Sequence, residues 1–200
     1  MLSPQVSPTS AQTKTFKRHD NISFVHHSLW RIHSGYVRTL TWSSEGECVP
    51  LGFWGEGDVV GYPIAQMRPY EAECLTMVEA EYLSVNQPLS REMVIRQIRQ
   101  SNSLLRIVHC RDSERRILQF LCWLADRFGA TQPDGIQILL RLTHQEIAET
   151  VGATRVTVSR LLKSLEQKGH IVWKTGQKMV LQETFNQFHL NAYRGDGIYS

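Results

Sequence analysis

The chain has 200 residues, 42% of them hydrophobic and 20% charged, with a formal net charge of only +3. That balance is typical of a packed globular protein and excludes a disordered one, and no apolar run reaches the roughly eighteen residues that a membrane-spanning helix needs. The charge is unevenly placed, however. Residues 137–182 carry seven basic and three acidic side chains, as expected of a polyanion-binding module joined to a near-neutral body.

Residues 1–21 are rich in Ser, Pro and Gln and contain no apolar stretch. They are expected to be disordered and not to form a secretory leader, which makes the cytoplasm the expected location. The four cysteines, Cys48, Cys74, Cys110 and Cys122, are widely scattered with no C-x-x-C pair. They read as buried, reduced thiols rather than metal or cluster ligands.

From Ile22 to Gln87 apolar and aromatic residues cluster at Leu29–Ile32, Tyr36–Leu40, Val49–Trp54 and Leu75–Leu83, with glycine turns between them. Short strands at this spacing predict an antiparallel sandwich or barrel. From Ser90 to Phe128 there is neither Gly nor Pro, and the apolar spacing becomes helical. Val94, Ile98, Leu105 and Val108 trace a heptad seam with Ser101 at the missing position, so residues 88–111 are expected to form a dimerisation helix. A single amphipathic helix packed on its own sheet is the plainer alternative, and a two-faced helix can satisfy both. Asp112 followed by an acidic first turn predicts a fresh helix start, and with it a hinge at Cys110–Asp112.

The final span, 112–200, holds the informative motif. Thr143 and Glu146 have the spacing of a capping box. Gly152 follows the apolar Ile147, Ala148 and Val151 where a tight turn needs positive φ. Thr154 then caps a second helix, 154–166, with Val158, Leu161, Leu162 and Leu165 on its buried side. Ala148, Gly152 and Val158 suit the packing points of a helix-turn-helix. Runs at Ile171–Lys174 and Lys178–Leu181 about Thr175-Gly176-Gln177 predict a hairpin wing.

The exposed residues of this motif suggest contacts with double-stranded DNA. Arg155 and Arg160 can pair with guanine edges, and Val156 offers a methyl surface to thymine. Thr143, His144 and Gln145, at the start of the first helix, are placed to meet phosphates. Thr154, Thr157 and Ser159, with Lys174 and Lys178 of the wing, complete the candidate interface. An enzyme is the rival class, but no triad, paired-carboxylate site or phosphate loop is present, and adjacent His26 and His27 would point to opposite sides of a strand. The chain is read as a non-enzyme.

These features together resemble the CRP/FNR superfamily of bacterial transcription regulators. The likeness is carried by LTHQEIAETVGATRVTVSRLLKSLEQKGHI and, less specifically, by GFWGEGDVVG. It implies an α+β chain with an N-terminal jelly-roll barrel of cyclic-nucleotide-binding type, a long dimerisation helix and a C-terminal winged helix-turn-helix. It further implies a homodimer that acts with RNA polymerase and no membrane. An activator is the expectation, although activation and repression are not distinguished by residues.

Thr-Arg-Val-Thr-Val-Ser-Arg resembles the recognition helix of the cyanobacterial nitrogen-control (NtcA-type) branch, where Val stands in place of the Glu of the cyclic-AMP receptor protein. At Val156 the resemblance implies a palindromic GTA…TAC-like operator. Gly61, Tyr62 and Arg68 are the candidate effector contacts. Pro63 and Tyr70-Glu71 replace the phosphate-holding residues of cyclic-nucleotide binders, so cyclic AMP is not expected. The branch binds 2-oxoglutarate, but here Gln97 and Asn102 replace its second Arg and a Glu, while Arg96 and Arg99 lie on other helix faces. An unknown ligand, or none, is the preferred reading. Haem held by His19, His26, His27 or His33 is a further candidate, set against solvated loop histidines, which are commoner. An effector-independent binder whose barrel only scaffolds the dimer is the alternative function.

Overall fold

The structure, a computed structural model, describes residues 12–24, 28–84, 86–174 and 178–182. The chain divides into two compact units, residues 1–39 with 53–94 and residues 40–52 with 95–200.

The first part of the chain is all strand except for one short helix. Strands β1 (Thr13–Phe16), β2 (Leu29–Ser34), β3 (Val37–Trp42), β4 (Cys48–Trp54) and β5 (Val59–Gly61) precede helix α1 (Tyr62–Ala65). Strands β6 (Glu71–Cys74) and β7 (Val78–Leu83) follow it. The strands form two sheets, in the orders β1-β7-β2-β5 and β4-β3-β6, and together make the jelly roll expected from the sequence. Alternation explains the core. Phe16, Trp30, Ile32, Val60, Ala72, Cys74, Val78 and Ala80 pack in one buried cluster, as period-two side chains on one face must. Two polar groups are buried with their partners: Trp54 Nε1 donates to Thr39 Oγ1 at 2.8 Å, and the Gly55 N–H donates to Asp58 Oδ2 at 2.9 Å.

Three expectations are corrected here. Residues 13–16, expected to be disordered, are β1, paired antiparallel with β7 from Thr13↔Glu81 to Phe16↔Val78. Only Phe16 of that strand is buried, so the hydrophobic signal was one residue wide. Leu75–Leu83 is not one strand, because residues 75–77 are a turn between β6 and β7. Of the four cysteines only Cys74 and Cys122 are buried; Cys48 and Cys110 are half-exposed.

Helix α2 spans Arg91–Val108 and α3 spans Ser113–Phe128. Asp112 caps α3, accepting the Arg115 N–H at 2.7 Å. The break falls where the sequence placed it. Buried residues of α2 are Gln100, Leu104 and Ile107, whereas Val94, Ile98 and Leu105 are 42%, 54% and 57% exposed. The heptad seam is therefore separate from the face that the helix buries.

Beyond α3 come β8 (Gly129–Gln132), β9 (Gly135–Ile138), α4 (His144–Val151), α5 (Arg155–Gln167), β10 (Ile171–Lys174) and β11 (Lys178–Gln182). The expected wing hairpin is present, β10 pairing β11 antiparallel from Ile171↔Leu181 to Lys174↔Lys178. It is half of a four-stranded sheet, β10-β11-β9-β8, in which β11 pairs with β9 from Val180↔Gln137 to Gln182↔Gly135. Ile117, Phe120, Leu121 and Leu124 of α3, Ile147 and Val151 of α4, and Val158, Leu162 and Leu165 of α5 are buried. This is the apolar core on which the helix-turn-helix rests. The wing turn, residues 175–177, and His26 and His27 lie outside the described residues.

Candidate nucleic-acid interface

Local chemistry fixes both helices of the motif. The Thr143 hydroxyl accepts the Glu146 N–H at 3.1 Å, and the Glu146 carboxylate accepts the Thr143 N–H. This capping box pairs two of the donors that a helix start leaves open. Gly152 ends α4 at φ 60°, a conformation that a Cβ disfavours. Thr154 caps α5 by accepting the Thr157 N–H at 3.1 Å. A longer-range contact holds the turn as well. Arg116 of α3 donates through Nη1 to the Val151 carbonyl at 2.7 Å, and to that of Gly152 at 3.4 Å. A cation thus sits on the last carbonyls of α4, where the helix dipole favours it.

With Val158, Leu162 and Leu165 turned inward, α5 presents Arg155, Val156 and Arg160 to solvent. Val156 is 77% exposed. An aliphatic side chain this exposed at the first turn of a helix is available to a partner. Leu161, expected on the buried side, is only half-buried.

Not every candidate residue is equally available. The Ser159 hydroxyl donates to the Arg155 carbonyl at 2.9 Å and lies 2.8 Å from His144 Nδ1. Thr157 and Thr154 share a hydroxyl contact at 2.9 Å, and Gln145 donates to Glu149 at 3.0 Å. Lys174 of the wing is tied to Asp134 at 2.8 Å. Ser159 and Lys174 thus each have a hydrogen-bond partner within the fold. The side chain of Lys178 lies outside the described residues.

Comparison with known proteins places this architecture. Residues 115–184 match the Crp-like helix-turn-helix domain. The chain is 44% identical to the regulatory protein CysR of Synechococcus elongatus over 146 residues, 72% of this chain and 71% of that protein. The chain belongs to the CRP/FNR family. It is also 42% identical to the global nitrogen regulator of Synechocystis sp. over 84 residues, 42% of this chain and 37% of that one. Within CRP/FNR it thus resembles the cyanobacterial nitrogen-control branch. The crystal structure of a CRP-family transcriptional regulator from Thermus thermophilus superposes with a TM-score of 0.72, covering 91% of this chain and 96% of that one at 24% identity. That likeness confirms the jelly roll and winged helix-turn-helix. This CRP/FNR chain is a transcription regulator rather than an enzyme. No described helix is long and apolar enough to cross a membrane.

The barrel of this CRP/FNR regulator carries an open groove of about 620 Å³, lined by Asn21, Phe24, Tyr62, Arg68, Tyr70 and Glu71 among others. Arg68 stacks on the Tyr62 ring, 5.0 Å from its centroid, and donates Nε to the Tyr62 hydroxyl at 3.2 Å. Burial pushes the Tyr70 hydroxyl well above the usual phenol range, opposed only in part by a hydrogen bond from the Gly61 backbone. It stays neutral. Gly61 itself pairs with Leu29 inside the sheet, and a Cβ there would lie 2.5 Å from the Ser28 carbonyl. Among the described residues, the groove is lined by one guanidinium, that of Arg68, and one carboxylate, that of Glu71, which accepts from Asn21 at 3.2 Å. A dicarboxylate calls for more positive charge than that, so these residues do not fit 2-oxoglutarate.

Proposed function

We propose that this regulator binds double-stranded DNA as a homodimer and reads a palindromic, GTA…TAC-like operator with residues 154–166. The reading is carried by one observation: Arg155, Val156 and Arg160 are exposed on a helix whose opposite face is buried. In the major groove, Arg155 and Arg160 address guanine O6 and N7, and Val156 meets a thymine methyl group. Thr143, His144, Gln145 and Thr154, at two helix N-termini, meet phosphates and set the register.

The dimer is supported by α2. Val94, Ile98, Ser101, Leu105 and Val108 recur at alternating steps of four and three, and the apolar members are 36–57% exposed. A second copy of the same helix is the occupant that this heptad suits, and two-fold symmetry matches a palindrome. Within this reading the protein works in the cytoplasm and acts on RNA polymerase from its operator. Its effector is neither a cyclic nucleotide nor a dicarboxylate. The groove at Tyr62 and Arg68 suits a ligand with a single anionic group.

Binding-site selection from random duplex DNA tests the assignment. The expected outcome is a two-fold palindrome with GTA half-sites. Half-sites of unrelated sequence would overturn it.

A further inference from the structure

The side chain that α5 offers at its second position cannot form a hydrogen bond at all. Val156 follows Arg155 in the first turn and is 77% exposed. It shares a helix face with Arg160, four residues on, so the face that addresses a guanine edge also carries an aliphatic surface. The major-groove edge of a base pair has one apolar feature, the C5-methyl group of the pyrimidine. Whether that pyrimidine presents O4, as thymine does, or an N4 amine, as cytosine does, is invisible to a valine. The usual adenine readers are also missing from this turn. Adenine N6 and N7 are met by the amide of Asn or Gln, yet α5 holds no Asn and its Gln167 is the last residue of the helix. Gln145, at the start of α4, has its amide on Glu149 at 3.0 Å. The hydroxyls of Thr157 and Ser159 lie 2.9 Å from that of Thr154 and 2.8 Å from His144 Nδ1.

We propose that Val156 reads a methyl group rather than a base, so that 5-methylcytosine replaces thymine at the pair it meets, whereas uracil and unmodified cytosine do not. Both methylated pyrimidines place the same carbon in the same part of the groove, and the valine contact depends on that carbon alone. Methylation of cytosine at C5 then creates a half-site instead of blocking one. The class of operator widens from one fixed sequence to duplexes that carry a methyl group at that position. The inference rests on the assignment of α5 as the reading helix and deepens it.

Burying one methyl group changes affinity about fourfold, and two half-sites together give about fifteenfold. The test is fluorescence anisotropy of the full-length protein on its selected operator and on a series of substituted duplexes. In these, each thymine of the half-sites, on either strand, is replaced in turn and symmetrically by uracil, by cytosine or by 5-methylcytosine, the last two paired with guanine. At one thymine position, uracil should weaken binding by about fifteenfold. At that same position 5-methylcytosine should bind about fifteenfold tighter than cytosine. Val156→Ala supplies the control, because a side chain this exposed can be shortened with little effect on the fold. Both differences should shrink in that variant to below about threefold. Uracil bound as tightly as thymine at every position would overturn the inference and leave the operator reading standing. So would 5-methylcytosine bound no tighter than cytosine, or methyl effects of the same size in Val156→Ala. Binding to the selected operator no tighter than to random duplex DNA would overturn both.

Discussion

Arg116 provides the most quantitative test of how the helix-turn-helix is held. Its guanidinium donates to the Val151 carbonyl at 2.7 Å and more loosely to Gly152 at 3.4 Å. A hydrogen bond from a charged donor contributes about 1.5–3 kcal/mol, and a cation at a partly buried helix C-terminus contributes up to about 2 kcal/mol. These overlap, so Arg116→Met, which keeps the aliphatic stem, should cost about 2 kcal/mol in all. Arg116→Lys can reach one carbonyl and should recover roughly half of that. Because the chain has two units, a single global melt is a poor readout. Hydrogen exchange at the amides of α4 and α5 reports the local opening directly, and about 2 kcal/mol corresponds to roughly thirty-fold faster exchange. Acceleration below about twofold in Arg116→Met would refute the reasoning, since the contact would then be no more than a surface ion–dipole.

Gly152→Ala forces an L-residue to φ 60° and should cost about 1–2 kcal/mol, read by the same exchange measurement. Leu105→Lys or Ile98→Lys places charge in the proposed α2 seam. Either should shift the sedimentation pattern from dimer to monomer without altering far-ultraviolet circular dichroism. Glu73 gives a pH prediction. Partial burial pushes its carboxyl up, but hydrogen bonds and charge from His19 and Arg38 outweigh burial and hold it below its ordinary value of 4.5. A depressed folded-state pKa stabilises above the unfolded value and is lost as pH falls through the folded one. Native protein should therefore lose barrel stability below about pH 4.5, and Arg38→Gln should show a smaller drop over the same range, as measured by hydrogen exchange at the barrel strands against pH, corrected for the intrinsic exchange rate.

What could be read without the structure was whatever is decided within four residues along the chain. The caps at Asp112, Thr143 and Thr154, the left-handed Gly152 and the break after Val108 all depend on side chains bonding to nearby backbone. Each stands where the sequence put it. The heptad on α2 was legible for a related reason, because periodicity is a local pattern. Features built from distant partners were not. Arg116 meets residues thirty-five positions away, and His144 meets Ser159 across the helix-turn-helix. Strand β1 was hidden because three of its four side chains are exposed. The β8–β9 hairpin is a different kind of miss. Its turn, Gln132-Pro133-Asp134-Gly135, carries a strong Pro-Asp-Gly signal, and φ of 142° at Gly135, whose Cβ would meet the Leu181 carbonyl at 2.0 Å, shows why glycine stands there.

The central claim is that the exposed first turn of α5 reads base edges rather than only the phosphate backbone. The affinity of Arg155→Ala for the selected operator and for random duplex DNA, measured side by side at one salt concentration, tests it most directly. A lost guanine contact predicts a specific affinity lower by about 1–3 kcal/mol per half-site with random-sequence affinity nearly unchanged. Equal weakening on both DNAs would mean that Arg155 touches only phosphate, and would contradict the assignment of α5 as the reading helix.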